Sequence, residues 1–304
     1  MRFAVLADIH SNHPALEAVL TDAAAHDVQG YLVAGDHFTG GPFPAETART
    51  LRSLNAYAVR GNTDNRLLAY HTGKGPDAWR THPQWAAQRW AYERLDDDTL
   101  DWLAALPEQT VVEPPGTTPV RMLHGTLHSA SKHMAPPDDA RVLAFYERAR
   151  IRPVDYGPNF LEQALAQIEE AVLVCGHSHV AWTYEHDVKL ALNPGSVGTP
   201  NNDDPRAQYA LLTWSEDRWQ VELRAVPYPT HLVQAAYEER GLLDCGGALS
   251  RAAMLGTLTG QAVFGRFVSH VLDLAAEAGV ARGPAIPEEV WERAISTFEW
   301  ALYQ

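Results

Sequence analysis

The 304-residue sequence predicts an α/β fold, and three observations support this prediction. Short apolar runs alternate with segments of helical periodicity, several runs stop at a Gly beside a polar residue, and Ala/Leu-rich helical periodicity begins near residue 230. Short apolar runs indicate buried strands, because a strand covered on both faces has no polar side. In open α/β sheets the residues that follow such strands gather along one edge, where ligands bind. The length is that of one or two domains.

The first elements follow this pattern closely. A strand is predicted over 2–7 and places Asp8 at the sheet edge. Pro14 suits the first turn of a helix that extends to about His26. The same pattern of an apolar strand followed by a polar residue recurs at 31–34, 56–60, 120–124 and 171–177.

The rest of the chain divides into three stretches. Residues 66–107 show helical periodicity, and Asp96–Asp98 is typical of a helix start, because carboxylates favour the positive end of the helix dipole. Aromatic side chains dominate protein cores, which predicts a packing role for the tryptophans of this stretch, Trp79, Trp85, Trp90 and Trp102. Residues 180–225 are predicted to form consecutive strands, and helices are predicted near 247–258, 261–279 and 287–303.

The composition narrows the class of protein. Hydrophobic residues make up 46% and charged residues 20%, which suffices for a packed core. A net charge of −14 repels nucleic-acid polymers, so none is expected as a partner. Cys175 and Cys245 form neither a disulfide framework nor a zinc-finger spacing. We see no signal-peptide core and no bilayer-spanning segment, and expect a cytoplasmic protein without a membrane partner.

Five short motifs stand at the ends of the predicted strands. They are D-I-H at 8–10, G-D at 35–36, G-N-T-D at 61–64, H-G at 124–125 and G-H-S-H at 176–179. Each alone is weak, since a Gly-Asp pair is usually a turn. Together they bring two carboxylates, one amide oxygen and four imidazoles to one sheet edge.

Seven donors exceed the needs of one four-coordinate zinc ion and suit two metal ions that share a bridging group. Mixed imidazole and carboxylate donors favour manganese, iron, cobalt or zinc over calcium or magnesium alone. The sequence therefore predicts a dinuclear metal site.

The ordered motifs resemble those of the calcineurin-like metallophosphoesterase family, in its compact bacterial phosphodiesterase branch. The resemblance covers roughly 1–228 and includes further landmarks, G-P at 41–42, L-P at 106–107, N-P-G-S-V-G at 193–198 and V-P-Y at 226–228. It implies two mixed β-sheets packed face to face with helices outside. We accordingly expect a catalytic domain over 1–229 and a helical extension, 230–304, packed on it.

The resemblance also implies the site. Asp36 would bridge two divalent ions, most simply Mn²⁺, with Fe, Zn, Co or Ni as alternatives. One ion would be held by Asp8, His10, Asp36 and His179, and the other by Asp36, Asn62, His124 and His177. The implied activity is hydrolysis of small phosphodiesters by in-line attack of a hydroxide that bridges the ions, with a small phosphate ester as the partner.

One position departs from the wider family. Many members carry G-N-H-D, whose histidine is thought to protonate the leaving group, whereas this chain has Thr63. Threonine cannot act as a general acid at neutral pH, so we expect a preference for diesters or activated esters. His37 and His128 are candidate substitute acids, each with a plain surface or supporting role as the alternative. Asn12 is a candidate phosphate contact, and it also suits the lead-in to the helix at Pro14.

Alternatives stay open at this stage. The same fold carries non-catalytic scaffolds, as in the related retromer subunit, but all seven ligand positions are intact here. A phosphomonoesterase or a dinucleoside-polyphosphate hydrolase is also compatible, although Thr63 counts against the first. The extension is expected to pack on the sheets, and a lid or a homo-oligomer contact through its helices is open.

Overall fold

The computed structural model describes residues 1–150 and 160–303. Its strands are β1 (Arg2–Leu6), β2 (Gly30–Val33), β3 (Ala56–Ala58), β4 (Gln109–Val112), β5 (Val120–Leu123), β6 (Val172–Val174), β7 (Trp182–His186), β8 (Lys189–Asn193), β9 (Ala207–Ser215) and β10 (Arg218–Val226). Its α-helices are α1 (His13–Ala24), α2 (Pro44–Ser53), α3 (Asn62–His71), α4 (Ala78–Thr81), α5 (Ala86–Tyr92), α6 (Asp97–Ala105), α7 (Ala140–Arg148), α8 (Phe160–Ala166), α9 (Thr230–Glu239), α10 (Leu242–Thr259), α11 (Val263–Glu277) and α12 (Glu288–Thr297). Short 3₁₀ helices cover Pro83–Trp85 and Trp300–Tyr303.

Within the described residues the strands form two mixed five-stranded sheets. The first has the order β10-β9-β1-β2-β3, in which β1, β2 and β3 are parallel and β9 and β10 antiparallel. The second has the order β4-β5-β6-β8-β7, in which β5, β6 and β8 are parallel and β4 and β7 antiparallel. Each sheet thus contains three parallel strands, and the carboxyl ends of these strands lie at the same edge of the sheet.

The core lies between the two sheets. Val5 and Leu32 of the first sheet and Val120 and Val172 of the second are fully buried in one apolar cluster. Side chains alternate along a strand, so Leu6 faces the opposite way and packs against α1 and α2. The second sheet is covered on its outer face by α7 and α8. The predicted sandwich of two mixed sheets flanked by helices is confirmed.

Several elements differ from the sequence-based prediction. Asn62, expected on a loop after a strand, is the first residue of α3. Helices α2, α7 and α8 and strand β4 were not predicted. Strand β4 is short and lies at a sheet edge with exposed and buried residues intermixed, so it lacks the apolar run that marks a central strand.

The C-terminal helices have an apolar cluster of their own. Val263 and Phe267 of α11 pack with Val290 and Ala294 of α12. The extension is fastened to the rest of the chain through α5, whose Trp90 lies in a second cluster with residues of α9 and α10. A division of the chain at 229/230 stays a prediction. Across the residues described, no helix combines the length and apolarity needed to cross a membrane.

Candidate metal centre

The parallel strands of both sheets deliver the seven candidate ligands to one edge. Asp8 and His10 follow β1, Asp36 follows β2, Asn62 follows β3, His124 follows β5, and His177 and His179 follow β6. The two sheets pack face to face, so loops from both can meet at this edge. The structure thereby brings the sequence-predicted ligands together.

Five of these residues have a left-handed backbone, which is uncommon outside glycine. The φ angles are 53° for Asp8, 49° for His10, 56° for Asp36, 69° for His177 and 58° for His179. Each such conformation costs on the order of 1–3 kcal/mol and persists only where the surroundings hold it. Strain of this kind clusters at functional sites, and here it occurs at five of the seven candidate ligands.

Gly61 shows why glycine is needed beside these ligands. A Cβ at this position would overlap the carboxylate of Asp36 and lie 2.5 Å from its backbone nitrogen. Only a residue without a side chain lets β3 end so close to the loop of Asp36.

The first donor group contains Asp8, His10 and His179. The Nε2 atoms of the two histidines lie 3.2 Å apart, and His179 Nε2 lies 3.3 Å from Asp8 Oδ1. Each histidine has its Nδ1 against a carbonyl oxygen, that of Thr39 at 2.8 Å for His10 and that of Thr199 at 2.6 Å for His179. A carbonyl oxygen only accepts, so Nδ1 carries the hydrogen and, in the neutral ring, Nε2 presents its lone pair. Two nitrogen lone pairs and a carboxylate then face one another. These electron-rich groups repel one another unless a proton or a cation lies between them.

The second donor group contains Asp36, His124 and His177, with Asn62 beside it. His124 Nδ1 donates to the carbonyl oxygen of Ala34 at 2.7 Å, so its Nε2 is the free nitrogen. That Nε2 lies 3.1 Å from Asn62 Oδ1 and 3.4 Å from Asp36 Oδ1. Both oxygens are acceptors, so this group too converges on the position of a cation.

Asp36 connects the two groups. Its Oδ1 faces His124, while its Oδ2 lies 3.6 Å from His10 Nε2. Asp8 Oδ1 is buried and has no hydrogen-bond partner within the described part of the chain. One carboxylate oxygen of Asp36 is thus available on each side, as a bridging ligand requires.

Comparison with known proteins decides the family. The family model of the calcineurin-like phosphoesterase superfamily domain matches residues 1–217. The chain belongs to this superfamily. The uncharacterised protein MJ0912 of Methanocaldococcus jannaschii is 25% identical over 251 residues, which is 78% of this chain and 90% of that protein.

Two solved structures share the fold of this calcineurin-like phosphoesterase. A metallophosphoesterase from Sphaerobacter thermophilus has a TM-score of 0.63 and 24% identity, covering 86% of this chain and 99% of its own. The hypothetical protein PH1004 from Pyrococcus horikoshii OT3 has a TM-score of 0.62 and 19% identity, covering 79% and 94%. The resemblance inferred from the five motifs is confirmed.

Without metal, the electrostatics of the centre favour a proton on His124 and His179 but not on His10 or His177, because burial holds the pKa of the latter two below the ordinary value. Burial lowers the pKa of His124, but the carboxylates of Asp36 and Asp8 outweigh it and raise the pKa to about 10. Burial likewise lowers the pKa of His179, yet Asp8 raises it above its ordinary value. Burial raises the pKa of Asp36, but the facing rings of His124 and His10 hold it well below its usual range.

Metal binding is therefore expected to release protons. A ligating imidazole must be neutral, whereas a pKa of about 10 leads us to expect a protonated His124 at pH 8 in the metal-free protein. We expect about one proton released per chain at pH 8, and an apparent metal affinity that rises with pH up to about pH 10. Calorimetric titration with Mn²⁺ in two buffers of different ionisation enthalpy measures this number. An equal heat in both buffers would contradict the assignment of His124 as a ligand.

Asp64, the last residue of G-N-T-D, organises the loops around Asp36. Its Oδ2 accepts hydrogen bonds from the backbone N–H groups of Asp36 and Gly61, each at 2.9 Å, and from His37 Nδ1 at 2.7 Å. Its Oδ1 accepts from the backbone N–H of His37 at 3.0 Å. The carboxylate is fully buried, so these four bonds replace its hydration.

The N-P-G-S-V-G segment supports the loop of Asp8. Ser196 Oγ donates to the Asp8 carbonyl oxygen at 2.7 Å, and the backbone N–H of Gly198 donates to the same oxygen at 3.0 Å. Asn193 Nδ2 donates to the carbonyl oxygen of Gly176 at 2.6 Å, beside His177. This segment therefore stabilises the loops that carry Asp8 and His177.

The remaining candidate residues have other contacts. His37 is fully buried, is bound to Asp64 and packs against Phe38 and Trp102, which fits its alternative supporting role. His128 is exposed and its Nε2 lies 3.3 Å from Gln167 Oε1. A role for either as general acid stays a prediction without support from these contacts.

The side chain of Asn12 forms hydrogen bonds within the protein. Its Oδ1 accepts from the backbone N–H of Ala15 at the start of α1, and its Nδ2 donates to the carbonyl oxygen of Gly198 and the hydroxyl of Tyr228. These bonds agree with its interpretation as the lead-in to the helix. A contact from Asn12 to a substrate phosphate is untested.

The sequence analysis missed one histidine at this site. His133 stacks on the ring of His177, with centroids 4.1 Å apart and planes 8° from parallel. Burial and the neighbouring His179 lower the pKa of His133 to about 4, so it is neutral at pH 7. It belongs to no spaced motif, since it comes from the loop between β5 and α7, and only the fold places it against His177.

Proposed function

We propose that this calcineurin-like phosphoesterase binds two divalent metal ions and hydrolyses small phosphodiesters. The observation that carries the proposal is the pair of donor groups that share Asp36 at one sheet edge. Asp36 would contribute to both ions. Asp8, His10 and His179 would complete one site, and Asn62, His124 and His177 the other.

The donor set fits such ions. In the neutral rings the Nε2 lone pairs of His10, His124 and His179 all face other acceptors, an arrangement that a cation satisfies. The Nδ1–H groups of these rings are fixed by backbone carbonyl oxygens, which hold each ring in one orientation. Mixed imidazole and carboxylate donors favour transition-metal ions over calcium or magnesium, and we take Mn²⁺ as the first choice, with iron, zinc, cobalt or nickel as alternatives.

The chemistry of the site follows from charge. When bound, two divalent ions lower the pKa of a shared water and neutralise charge that develops on a phosphoryl group. The carboxylates of Asp8 and Asp36 would neutralise two of the four positive charges of the ions. The centre would keep a positive charge and attract a phosphate, although the whole chain carries a net charge of −14. The residues of the chain act mainly by holding the donors and the phosphoryl group in place, since phosphoryl transfer depends on positioning and electrostatics.

Thr63 supports a preference for diesters. Its backbone N–H donates to Asp36 Oδ1 at 2.9 Å, and its Oγ1 is buried with no hydrogen-bond partner among the residues that the structure describes. The residue thus lies at the centre, but its hydroxyl cannot supply a proton at neutral pH. Leaving groups that depart without protonation, as in activated esters, are the ones this site is expected to serve.

Replacing Thr63 by His is expected to raise hydrolysis of phenyl phosphate, whose leaving group is poor, relative to p-nitrophenyl phosphate, whose leaving group is good. A general acid contributes about 10²–10⁴-fold for poor leaving groups and less for good ones, so we expect a change in the ratio of about 10-fold. Steady-state rates on both substrates measure it. Thr63→Val, which keeps the shape but adds no acid, should leave the ratio unchanged. An unchanged ratio in Thr63→His would contradict the role assigned to this position.

The proposed activity itself is tested with Mn²⁺-loaded protein on the monoester p-nitrophenyl phosphate and the diester bis-p-nitrophenyl phosphate. We expect hydrolysis of both, faster for the diester, and loss of both after removal of metal with a chelator. Absence of hydrolysis with Mn²⁺, Co²⁺, Ni²⁺ and Zn²⁺ would favour the scaffold alternative. Faster hydrolysis of the monoester would favour the phosphomonoesterase.

A further inference from the structure

Arg66 is a cation beside the metal centre. It lies on α3 four residues after Asn62, and residues spaced by four share one face of a helix. Helical side chains lean toward the N-terminus of their helix, which directs Arg66 toward the turn that Asn62 opens. Burial lowers the pKa of Arg66, and the charge of Asp36 opposes this lowering. Arg66 and Asp36 are therefore within electrostatic reach of one another.

Among the described residues, Arg66 has no acidic partner. Over 1–150 and 160–303 it forms neither an ion pair nor a hydrogen bond, and its recorded contact is with an aromatic ring. Nearby arginines differ, since Arg52 lies 3.4 Å from Asp96 and Arg60 lies 3.8 Å from Glu108. A partly buried guanidinium has lost part of its hydration, and without a counter-ion nothing compensates for that loss. A bound anion would supply the missing counter-ion.

Trp85 holds this guanidinium from one side. The Arg66 Cζ atom lies 5.7 Å from the centroid of the Trp85 ring. Contact with an aromatic face leaves the N–H donors of a guanidinium free at its edge. Trp85 is fixed in turn by the C-terminal extension, because its Nε1 donates to the carbonyl oxygen of Pro284 at 2.5 Å. The side chain of the adjacent Gln84 bonds both the N–H and the carbonyl oxygen of Ile286, at 3.0 and 2.7 Å.

We propose that Arg66 binds a second anionic group of the substrate, next to the phosphoryl group that reacts. This inference rests on the proposed function and narrows its substrates to phosphate esters that carry a neighbouring phosphate. The scissile group is the one that the metal ligands surround, and Arg66 lies one helical turn beyond Asn62, about 6 Å along the axis. The planar guanidinium can donate two parallel hydrogen bonds to a phosphate, and packing against Trp85 would orient the guanidinium for that contact.

The test compares ADP with AMP, which differ by one phosphate. Calorimetry on Mn²⁺-loaded protein, with free Mn²⁺ held constant and protein-bound manganese measured before and after, gives both affinities, and chromatography of the nucleotides after each titration shows whether any was hydrolysed. We expect the natural sequence to bind ADP at least about 10-fold more tightly than AMP. Arg66→Gln should weaken ADP binding about 10- to 100-fold, the worth of a charge-assisted hydrogen bond, and AMP binding less than about 3-fold. Arg218→Gln, an exposed control at the amino end of β10 and away from the metal edge, should change neither.

Two results would overturn the proposal. Equal weakening of ADP and AMP in Arg66→Gln would assign Arg66 to the scissile group, and no weakening of either would remove it from the site. Arg66→Lys, which keeps the charge but loses the planar fork, should give a smaller loss for ADP and repeats the comparison if Arg66→Gln does not fold. Bis-p-nitrophenyl phosphate has no second anion, so Arg66→Gln should hydrolyse it within about 3-fold of the natural rate. Failure of the natural protein to hydrolyse it would count against the proposed function, while the ADP and AMP affinities still decide the role of Arg66.

Discussion

Replacing Asp36 by Asn is expected to lower the rate of diester hydrolysis about 10³-fold and to reduce bound metal from two ions to one per chain. Asp36 offers Oδ1 toward His124 and Oδ2 toward His10, and asparagine keeps one oxygen but turns an NH₂ group toward the other side. The backbone should tolerate the change, because asparagine adopts the left-handed conformation that Asp36 has at φ 56°. Steady-state kinetics and metal analysis of the purified variant measure both effects.

Asp27→Asn is the matched control for this experiment. Asp27 also has a left-handed backbone, at φ 53°, but is exposed and precedes β2, at the sheet edge opposite the metal centre. It should leave rate and metal content unchanged. An Asp36→Asn protein that retains two ions and full activity would exclude Asp36 as the bridging ligand.

Replacing Asp64 by Asn is expected to lower the free energy of unfolding by about 3–5 kcal/mol, the usual cost of breaking a buried pair by changing one partner. Four hydrogen bonds end on this carboxylate, and an NH₂ group in place of Oδ1 would face the backbone N–H of His37, donor against donor. Urea unfolding of chelator-treated protein measures the loss without a contribution from metal. Asp101→Asn, an exposed change on α6, should cost less than about 0.5 kcal/mol.

The contribution of Asp64 should also depend on pH. Burial raises the pKa of this carboxyl, but His37 and the N–H of Gly61 outweigh burial and lower it below its ordinary value. A carboxyl with a depressed folded-state pKa stabilises the protein fully above its unfolded pKa of about 3.9, and this stability is lost as pH falls through the folded-state pKa. The difference between the natural protein and Asp64→Asn should therefore shrink as the pH falls below about 4. A loss under 1 kcal/mol at neutral pH would contradict the role of Asp64.

Most of the candidate ligands could be predicted from the sequence, because the ends of the parallel strands determine where these residues lie. Asp8, Asp36 and His124 each follow an apolar run, and parallel strands end at one sheet edge. The seven donors therefore converge although they lie up to 171 residues apart, from Asp8 to His179. The order of the motifs also gave the family, and with it the packing of two sheets that periodicity alone does not show.

The supporting residues could not be read in the same way. The stacking of His133 on His177 depends on the path of a loop, which leaves no spacing in the sequence. The left-handed backbone of His10 and His179 runs against local preference and is imposed by tertiary contacts. Arg66 is different, because its four-residue spacing from Asn62 was visible once α3 was known to begin at Asn62.

We propose that two metal ions together make this site a phosphodiesterase, and a stoichiometric metal titration tests this claim most directly. Metal-free protein is titrated with Mn²⁺ in steps of half an equivalent, with bound manganese and the rate on bis-p-nitrophenyl phosphate measured at each step. We expect binding to saturate at two ions per chain and the rate to rise with the second equivalent. Full activity at one equivalent, or two bound ions without hydrolysis, would contradict the claim.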